Sequence, residues 1–380
     1  MGDYVRQLPD GSADLAKPPS AASRFHLDLP LLFLLMALTA YGLTVLYSAS
    51  GQDMGAVIRQ GRYFIVAYVV MIAASQISLA RYMRWAPWFY LFGVGLLVAV
   101  MFVGVGAKGA QRWLSLGGFR FQPSEILKLV VPMTVGWYLA ERILPPKFKY
   151  VIGSLVIIAI PSALILRQPD LGTALLIAAS GMFVVFMAGI GWRYIFGAIL
   201  LAFASAWPVW LFVLKDYQKQ RILTMLNPES DKLGAGWNII QSKTAIGSGG
   251  WEGKGWMSGT QSQLDFLPES HTDFIIAVLA EEFGLRGVLM LLAIYLLILL
   301  RGFWIGLRAQ TSYGRMLAGS LTLTFFVYIF VNMGMVAGLL PVVGVPLPLV
   351  SAGGTSVVTL MAGFGLLMAV STEKKIGVHS

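Results

Sequence analysis

The sequence contains no cysteine. That excludes disulfides, thiolate nucleophiles and cysteine-ligated metals. Histidine is nearly as scarce. There are three, His26, His271 and His379, two of them in the terminal segments, so a histidine-rich metal site is excluded as well. Charge is also in short supply. Only 12% of the 380 residues are Asp, Glu, Lys or Arg, about half the share of an ordinary soluble domain. Apolar residues take their place, at 57% of the chain with a mean hydropathy of +0.74. Apolar surface on that scale belongs in lipid.

The net charge is +10, from 28 Lys and Arg against 18 Asp and Glu. In a soluble protein such an excess points to nucleic acid. In a membrane protein basic residues collect in cytoplasmic loops, so no nucleic-acid partner is expected. The first 28 residues are polar and include Pro18 and Pro19. The first apolar run, Pro30 to Tyr47, is too long for a signal-peptide core, which makes it an uncleaved first helix.

Runs long enough to cross a bilayer, about 17 to 25 residues, recur near 30–48, 62–79, 86–105, 124–144, 150–167, 172–190, 193–214, 272–300, 313–340 and 348–371. The expected fold is therefore an all-α polytopic membrane protein of about ten transmembrane helices. Residues 1–28 read as a cytoplasmic N-terminal tail, 29–372 as a single ten-helix membrane domain and 373–380 as a cytoplasmic C-terminal tail. Basic residues set the orientation. Fourteen Lys and Arg fall in the segments placed inside. Six (Arg59, Arg62, Lys108, Arg112, Arg120 and Arg167) fall in short outer loops. That bias puts both termini in the cytoplasm.

Residues 215–271, between the seventh and eighth helices, form the one long connection, placed outside the membrane. Such loops in compact proteins are usually functional or disordered. This one carries Tyr217, Trp237, Trp251, Trp256 and Phe266, with eight glycines from Gly234 to Gly259. It reads equally as a substrate surface or as an interfacial loop with ordinary aromatic anchors.

Among the acidic residues, Glu125, Asp273, Glu281 and Glu282 lie at or within helices. Ionisable groups at membrane depth face a cavity or a partner. Glu125 and Lys128 are three apart and share a helix face. They form either a structural ion pair or part of an active cavity. Asp273 opens the eighth helix at the outer surface. A carboxylate in the first helical turn is favoured by the helix dipole alone. In the alternative, partial exclusion of water makes it a usable general base. Glu281 and Glu282 read as packing polarity or as part of an inner-leaflet interface. Lys108, Arg112 and Arg120 precede the fourth helix. They read as a solvated loop or as cations for a pyrophosphate.

Five segments carry a resemblance. They are GAQRWLSLGGFRFQPSEILK (109–128), QPDLGT (168–173), NPESDKLGAGWNIIQSKTAIGSGG (227–250), GTQSQLDFLPESHTDFIIAVLAEEFG (259–284) and LPVVGVPLPLVSAGG (340–354). Together they resemble the SEDS family of peptidoglycan glycosyltransferases, and within it the elongation-specific branch. The likeness runs from about residue 26 to 372. It implies ten helices in the bacterial cytoplasmic (inner) membrane and polymerisation of lipid II into glycan strands at its outer face. It also implies a class B penicillin-binding protein as partner. Asp273 stands at the family's essential aspartate, implied here to be the catalytic base. Glu125 and Lys128 stand at the Glu and Lys of its QPSE segment. The same motifs give the expected substrate-binding set: Lys108, Arg112, Gln122, Ser124, Glu125, Lys128, Gln168, Asp170, His271, Thr272 and Ser351. Where the family commonly has Ser-Tyr-Gly-Gly-Ser, this chain has Ser351-Ala352-Gly353-Gly354-Thr355, which removes a ring. No cofactor is implied with certainty, and a divalent cation, Mg or Mn, is left open. Two rival classes are a lipid II transporter and a non-catalytic scaffold. No internal repeat of the kind transporters carry is visible.

Overall fold

A computed structural model of the chain describes residues 26–107, 110–116, 119–231, 234–260 and 269–373. Its first half holds α1 (Leu29–Ala49), α2 (Met54–Ser75), α3 (Leu79–Val103), α4 (Pro123–Ala140), α5 (Phe148–Arg167) and α6 (Leu171–Met187). Next comes α7 (Trp192–Pro208), which runs into a π-helical turn, Val209–Val213. Two short helices follow, α8 (Asp216–Leu226) and α9 (Ala235–Gly249). The chain closes with α10 (Ile275–Arg308), α11 (Ser312–Val336) and α12 (Thr355–Ser371).

The protein is an all-α polytopic membrane protein. α1, α2, α3, α5, α7 with its π-turn, α10 and α11 are long and apolar enough to cross a membrane, and α6 and α12 are shorter apolar helices. α4 has 18 residues and carries Glu125 and Lys128 in its first turns.

Local chemistry explains where the helices begin. Asp28 caps α1 by accepting from Leu31 N at 3.1 Å, with Pro30 in the first turn. Asp53 accepts from Gly55 N at 2.7 Å and starts α2 at Met54. The hydropathy boundary near residue 62 misses this, because Arg59, Gln60 and Arg62 interrupt the apolar run. α12 starts at Thr355 rather than near 348, because Pro346 and Pro348 interrupt the run and Leu349 takes φ +59°. α10 continues past residue 300 to Arg308, whose guanidinium lies over the Trp304 ring at 4.1 Å.

The segment before α4 is a feature that hydropathy does not reveal. Val105–Ala107 (β1), Ala110–Leu116 (β2) and Phe119–Phe121 (β3) form a small antiparallel sheet, with Leu114 opposite Phe121.

α10 is bent at Gly284, where φ is +63°. The turn after α9 repairs the break. Lys254 N and Gly255 N donate to the carbonyls of Glu281 and Glu282 at 2.9 and 3.0 Å. Leu285 N and Arg286 N donate to those of Gly250 and Trp251 at 2.9 and 3.3 Å. Glu281, fully buried, takes the Lys254 ammonium at 2.7 Å and Thr260 N at 2.8 Å. Glu282 takes the Ser48 hydroxyl. Both glutamates are thus buried and hydrogen-bonded within the bundle, the first of the two readings their sequence position allowed. Part of the long connection is thereby clasped to the bundle, and Ser242 Oγ ties α9 to Val336 O at 2.9 Å.

Two large buried clusters and a small third one (Leu176, Tyr328 and Val345) hold the bundle together. The largest joins α1, α2, α10, α11 and α12, and the second is centred on α4, α5 and α6. In lipid such contacts rest on packing and small residues rather than on water exclusion. α7 belongs to none of the three and has no buried residue.

The ends of the described chain meet on one face. Asp28 holds Arg301 through Nε (3.0 Å) and a terminal guanidinium nitrogen (2.7 Å), and also accepts from Ser371 Oγ at 3.0 Å. His26 Nδ1 lies 3.0 Å from Thr372 Oγ1, and Thr311 Oγ1 donates to Glu373 at 3.3 Å. Burial pushes the Glu373 carboxyl above its ordinary value, against the pull of that hydrogen bond.

Candidate active site

The opposite end of the bundle contains a cavity of about 880 Å³. The sheet gives Arg112 and Trp113 to its wall, and α4 with its preceding residue gives Gln122, Glu125 and Lys128. Asp170 caps α6 there by accepting from Thr173 N at 3.2 Å, and also takes Gln122 Nε2 at 3.2 Å. Asp273 lies on the same wall, in the turn just before α10.

Position along the chain decides what Asp273 does for its helix. α10 begins at Ile275, and its N-cap is Phe274, with no side-chain cap. Asp273 is therefore not in the first helical turn, a correction to the expectation from sequence. What holds it is main chain. The carbonyl of His271 accepts from Ala352 N at 2.9 Å. The carbonyl of Thr272 accepts from Ser351 Oγ at 2.5 Å. The carbonyl of Asp273 accepts from Asn332 Nδ2 at 2.8 Å. Three successive carbonyls are thus pinned to α11 and to the segment before α12. The side chain itself faces Gly344, whose φ is +73°; a β-carbon at 344 would sit 3.5 Å from Asp273 Oδ2.

The charged groups of the cavity are mostly paired. Lys128 Nζ lies 2.6 Å from Glu125 Oε1 and 5.3 Å from the Tyr328 ring centroid. The Glu125–Lys128 pair expected from the spacing is therefore present, and it is buried. Arg112 donates through Nε to the Gln168 carbonyl at 3.1 Å and through a terminal nitrogen to the Pro169 carbonyl; it also stands 3.7 Å from Asp170.

Of the twelve expected site residues, Arg112, Gln122, Glu125, Lys128, Asp170 and Asp273 line this cavity. Five others sit behind it. Gln168 is buried and donates to Leu97 O at 3.2 Å. Ser124 is buried, and its hydroxyl has no partner among the described residues. His271, Thr272 and Ser351 act through the links just described, and Thr272 Oγ1 also donates to the Glu269 carboxylate at 2.7 Å. Lys108 lies outside the described residues. The cavity also contains residues absent from the expected set: Tyr63, Trp113, Arg221, Asn238, Glu269 and Tyr328. Arg221, Asn238 and Glu269 come from the long connection. Tyr328 had a legible signal, since Thr324, Tyr328 and Asn332 put a polar stripe at four-residue spacing on an apolar span. Tyr63 had none, because hydropathy gave no reason to separate it from other interfacial tyrosines. Its ring lies against Gly354, beside Ala352.

Among the described residues no three His, Asp or Glu side chains converge as a metal-binding group. The cavity carboxylates fit a cation held largely by a substrate's phosphates, with one or two protein oxygens, which is the habit of Mg²⁺.

Below the polar cavity lies a narrow apolar pocket that shares Glu125, Lys128, Tyr328 and Pro346 with it. Leu321, Phe325, Leu360 and Phe364 line its deeper part. A third hollow, about 390 Å³ between α2, α3, α4 and α12, shares Leu129 and Thr359 with that pocket and is walled by exposed Phe89 and Phe92. The polar site thus adjoins an apolar pocket, and the pocket adjoins a lipid-facing groove.

Comparisons with known proteins agree with one another. Residues 29–376 match the FtsW/RodA/SpoVE family model, described as cell cycle protein. The chain is 53% identical over 353 residues to the peptidoglycan glycosyltransferase MrdB of Escherichia coli K12, covering 93% of this chain and 95% of that one. It is 38% identical to the probable peptidoglycan glycosyltransferase FtsW of Geobacter metallireducens, covering 92% and 95%. Among solved structures, it resembles a chain from work on the coordination of polymerization and crosslinking by a peptidoglycan synthase complex. There the TM-score is 0.80, with 31% identity over 90% of this chain and 97% of that one. For the rod shape determining protein RodA of Thermus thermophilus the TM-score is 0.68, with 29% identity over 90% and 96%. The matching model spans nearly the whole chain, and solved relatives share the fold over 90% of it: the chain belongs to the FtsW/RodA/SpoVE family.

Proposed function

We propose that the protein is a peptidoglycan glycosyltransferase of cell elongation, polymerising lipid II at the outer face of the bacterial inner membrane. One observation carries the reading. A single cavity gathers Asp273, Glu125, Lys128, Arg112, Gln122 and Asp170, and it adjoins an apolar pocket and a lipid-facing groove. A lipid-linked sugar needs that combination, because its tail stays in the bilayer while its head reacts.

In this mechanism Asp273 takes the proton from the 4-hydroxyl of the acceptor sugar. That oxygen attacks the anomeric carbon of the growing chain. The bond from that carbon to the pyrophosphate oxygen breaks, and its electron pair leaves with undecaprenyl pyrophosphate, inverting α to β. A positioned base is worth about 10² to 10⁴ in rate. Charge growing on the leaving group calls for fixed cations and donors. A divalent cation, if bound, neutralises phosphate charge.

The proposed topology has residues 1–28 and 373–380 in the cytoplasm, ten spans within 29–372 and the 215–271 segment outside. The basic-residue bias supports it, as does the meeting of His26 with Thr372 on one face. The proposed partner is a class B penicillin-binding protein, supplying crosslinking. The test is polymerisation of lipid II by the purified chain with that partner, comparing wild type with Asp273→Asn. Glycan strands that depend on Asp273 support the enzyme. Translocation of lipid II in proteoliposomes without polymer favours a transporter. Polymer made equally well by the variant removes Asp273 from the chemistry.

A further inference from the structure

Among the described residues, the charge account of the cavity leaves one cation over. Three line its wall, Arg112, Lys128 and Arg221. Lys128 is committed to Glu125, and Arg112 to the turn at 168–170 and to Asp170. Arg221 forms no ion pair or hydrogen bond among the described residues.

Its helix is built the wrong way round for simple packing. An outer helix resting on a protein turns apolar residues inward. On α8 the two fully buried residues are both polar, Gln218 and Thr224, with Arg221 between them at three-residue spacing and Tyr217, Ile222 and Met225 half-buried alongside. Leu223 and Leu226 point outward, 47% and 71% exposed. The hydroxyl of Thr224, a residue only 2% exposed, has no partner among the described residues. Buried polar atoms without partners are rare and mark a missing ligand, water or ion. The outward leucines suit lipid or its interface, and the inward polar stripe suits a charged occupant of the cavity.

We propose that Arg221 binds the pyrophosphate of the isoprenoid carrier, with Asn238 of α9 beside it on the wall. An arginine fork matches phosphate oxygens bidentately and stays charged at any working pH. Lys128 then serves to hold Glu125 and the cavity wall rather than the leaving group. The inference rests on the glycosyltransferase reading for the identity of the carrier, but its test does not depend on turnover.

The experiment measures binding of undecaprenyl pyrophosphate to the purified full chain in detergent, with undecaprenol, which lacks the phosphates, as the control. Arg221→Ala and Arg221→Gln are expected to weaken undecaprenyl pyrophosphate by about tenfold or more and to leave undecaprenol unchanged. Arg221→Lys should fall between them and wild type. Equal affinity of wild type and both neutral variants for undecaprenyl pyrophosphate overturns the assignment. So does a parallel loss of both ligands, which would mean that Arg221 only holds the fold. A wild-type chain that binds in this way but makes no polymer from lipid II counts against the enzymatic reading and not against this site.

Discussion

Asn332 Nδ2 donates to the main-chain carbonyl of Asp273 at 2.8 Å, and the same amide donates to Val345 O at 2.7 Å. One fully buried amide therefore spaces the proposed base from the strip of chain that carries Gly344. Asn332→Ala should lower the polymerisation rate by up to about 10²-fold, the size expected when a reacting group shifts by an ångström. The loss should fall on kcat more than on KM, because Asn332 does not line the cavity. Steady-state kinetics with lipid II checks the split, and a loss confined to KM would contradict it.

Asp273→Asn keeps the shape of the side chain and removes its basicity. Activity should drop by about 10² to 10⁴. Its thermal unfolding should stay close to wild type, since the links at 271–273 run through main chain. Gly344→Ala should also reduce activity, because its β-carbon would stand against Asp273 Oδ2 in a backbone conformation that favours glycine.

The buried pair at Glu125 and Lys128 predicts a strongly non-additive cycle. Lys128→Met leaves a buried carboxylate without its partner and should cost about 3–5 kcal/mol of stability. Adding Glu125→Gln should recover much of that loss. Thermal unfolding of the two single variants and the double variant in detergent reads the coupling, and additive losses would mean that the pair is not linked.

Sequence alone reached most of this architecture. Helix order and the Glu125–Lys128 pairing follow from hydropathy and spacing. The start of α2 was hidden because Arg59, Gln60 and Arg62 interrupt its apolar run, and Asp53 marks the true beginning. The sheet before α4 was hidden because its strands are only three to seven residues long. His271 and Ser351 were singled out with the substrate-binding residues, yet their hydrogen bonds tie stretches of main chain together, and Thr272 holds the Glu269 carboxylate through its hydroxyl at 2.7 Å. No linear pattern distinguishes a residue that touches a ligand from one that holds the residue that does. Arg221 was missed for a related reason. A lone arginine in a long connection looks solvated until the partners of every neighbouring cation are known.

Gly284 should not tolerate a side chain. At φ +63°, a β-carbon there would meet Gly253 N and the Trp251 carbonyl. Gly284→Ala should push the 250–255 turn off α10, expose the buried Glu281 and lower the unfolding temperature. Hydrogen exchange at Lys254 and Gly255 should rise in that variant. Unchanged protection there would show that the turn does not depend on the bend.

Stability at the other face should respond to pH through Glu373. Its carboxyl is raised by burial above the ordinary 4.5. The folded chain therefore holds this proton more tightly than the unfolded chain does. The resulting contribution is fully present below about pH 4.5 and is lost as pH rises through the raised value. Glu373→Gln should flatten that part of the pH profile of the unfolding temperature. An unaltered slope would assign it to other groups.

The contact between His26 and Thr372 brings the entry of the first helix beside the exit of the last. Such neighbours can be joined and the chain reopened elsewhere. A short linker would replace the segments outside 26–373, with a fresh break placed in the turn between α10 and α11 on the same side. Each span would then keep its original direction through the bilayer, even though a different helix would leave the ribosome first. A permuted protein of this kind would ask whether the order of insertion, or only the final packing, builds the cavity.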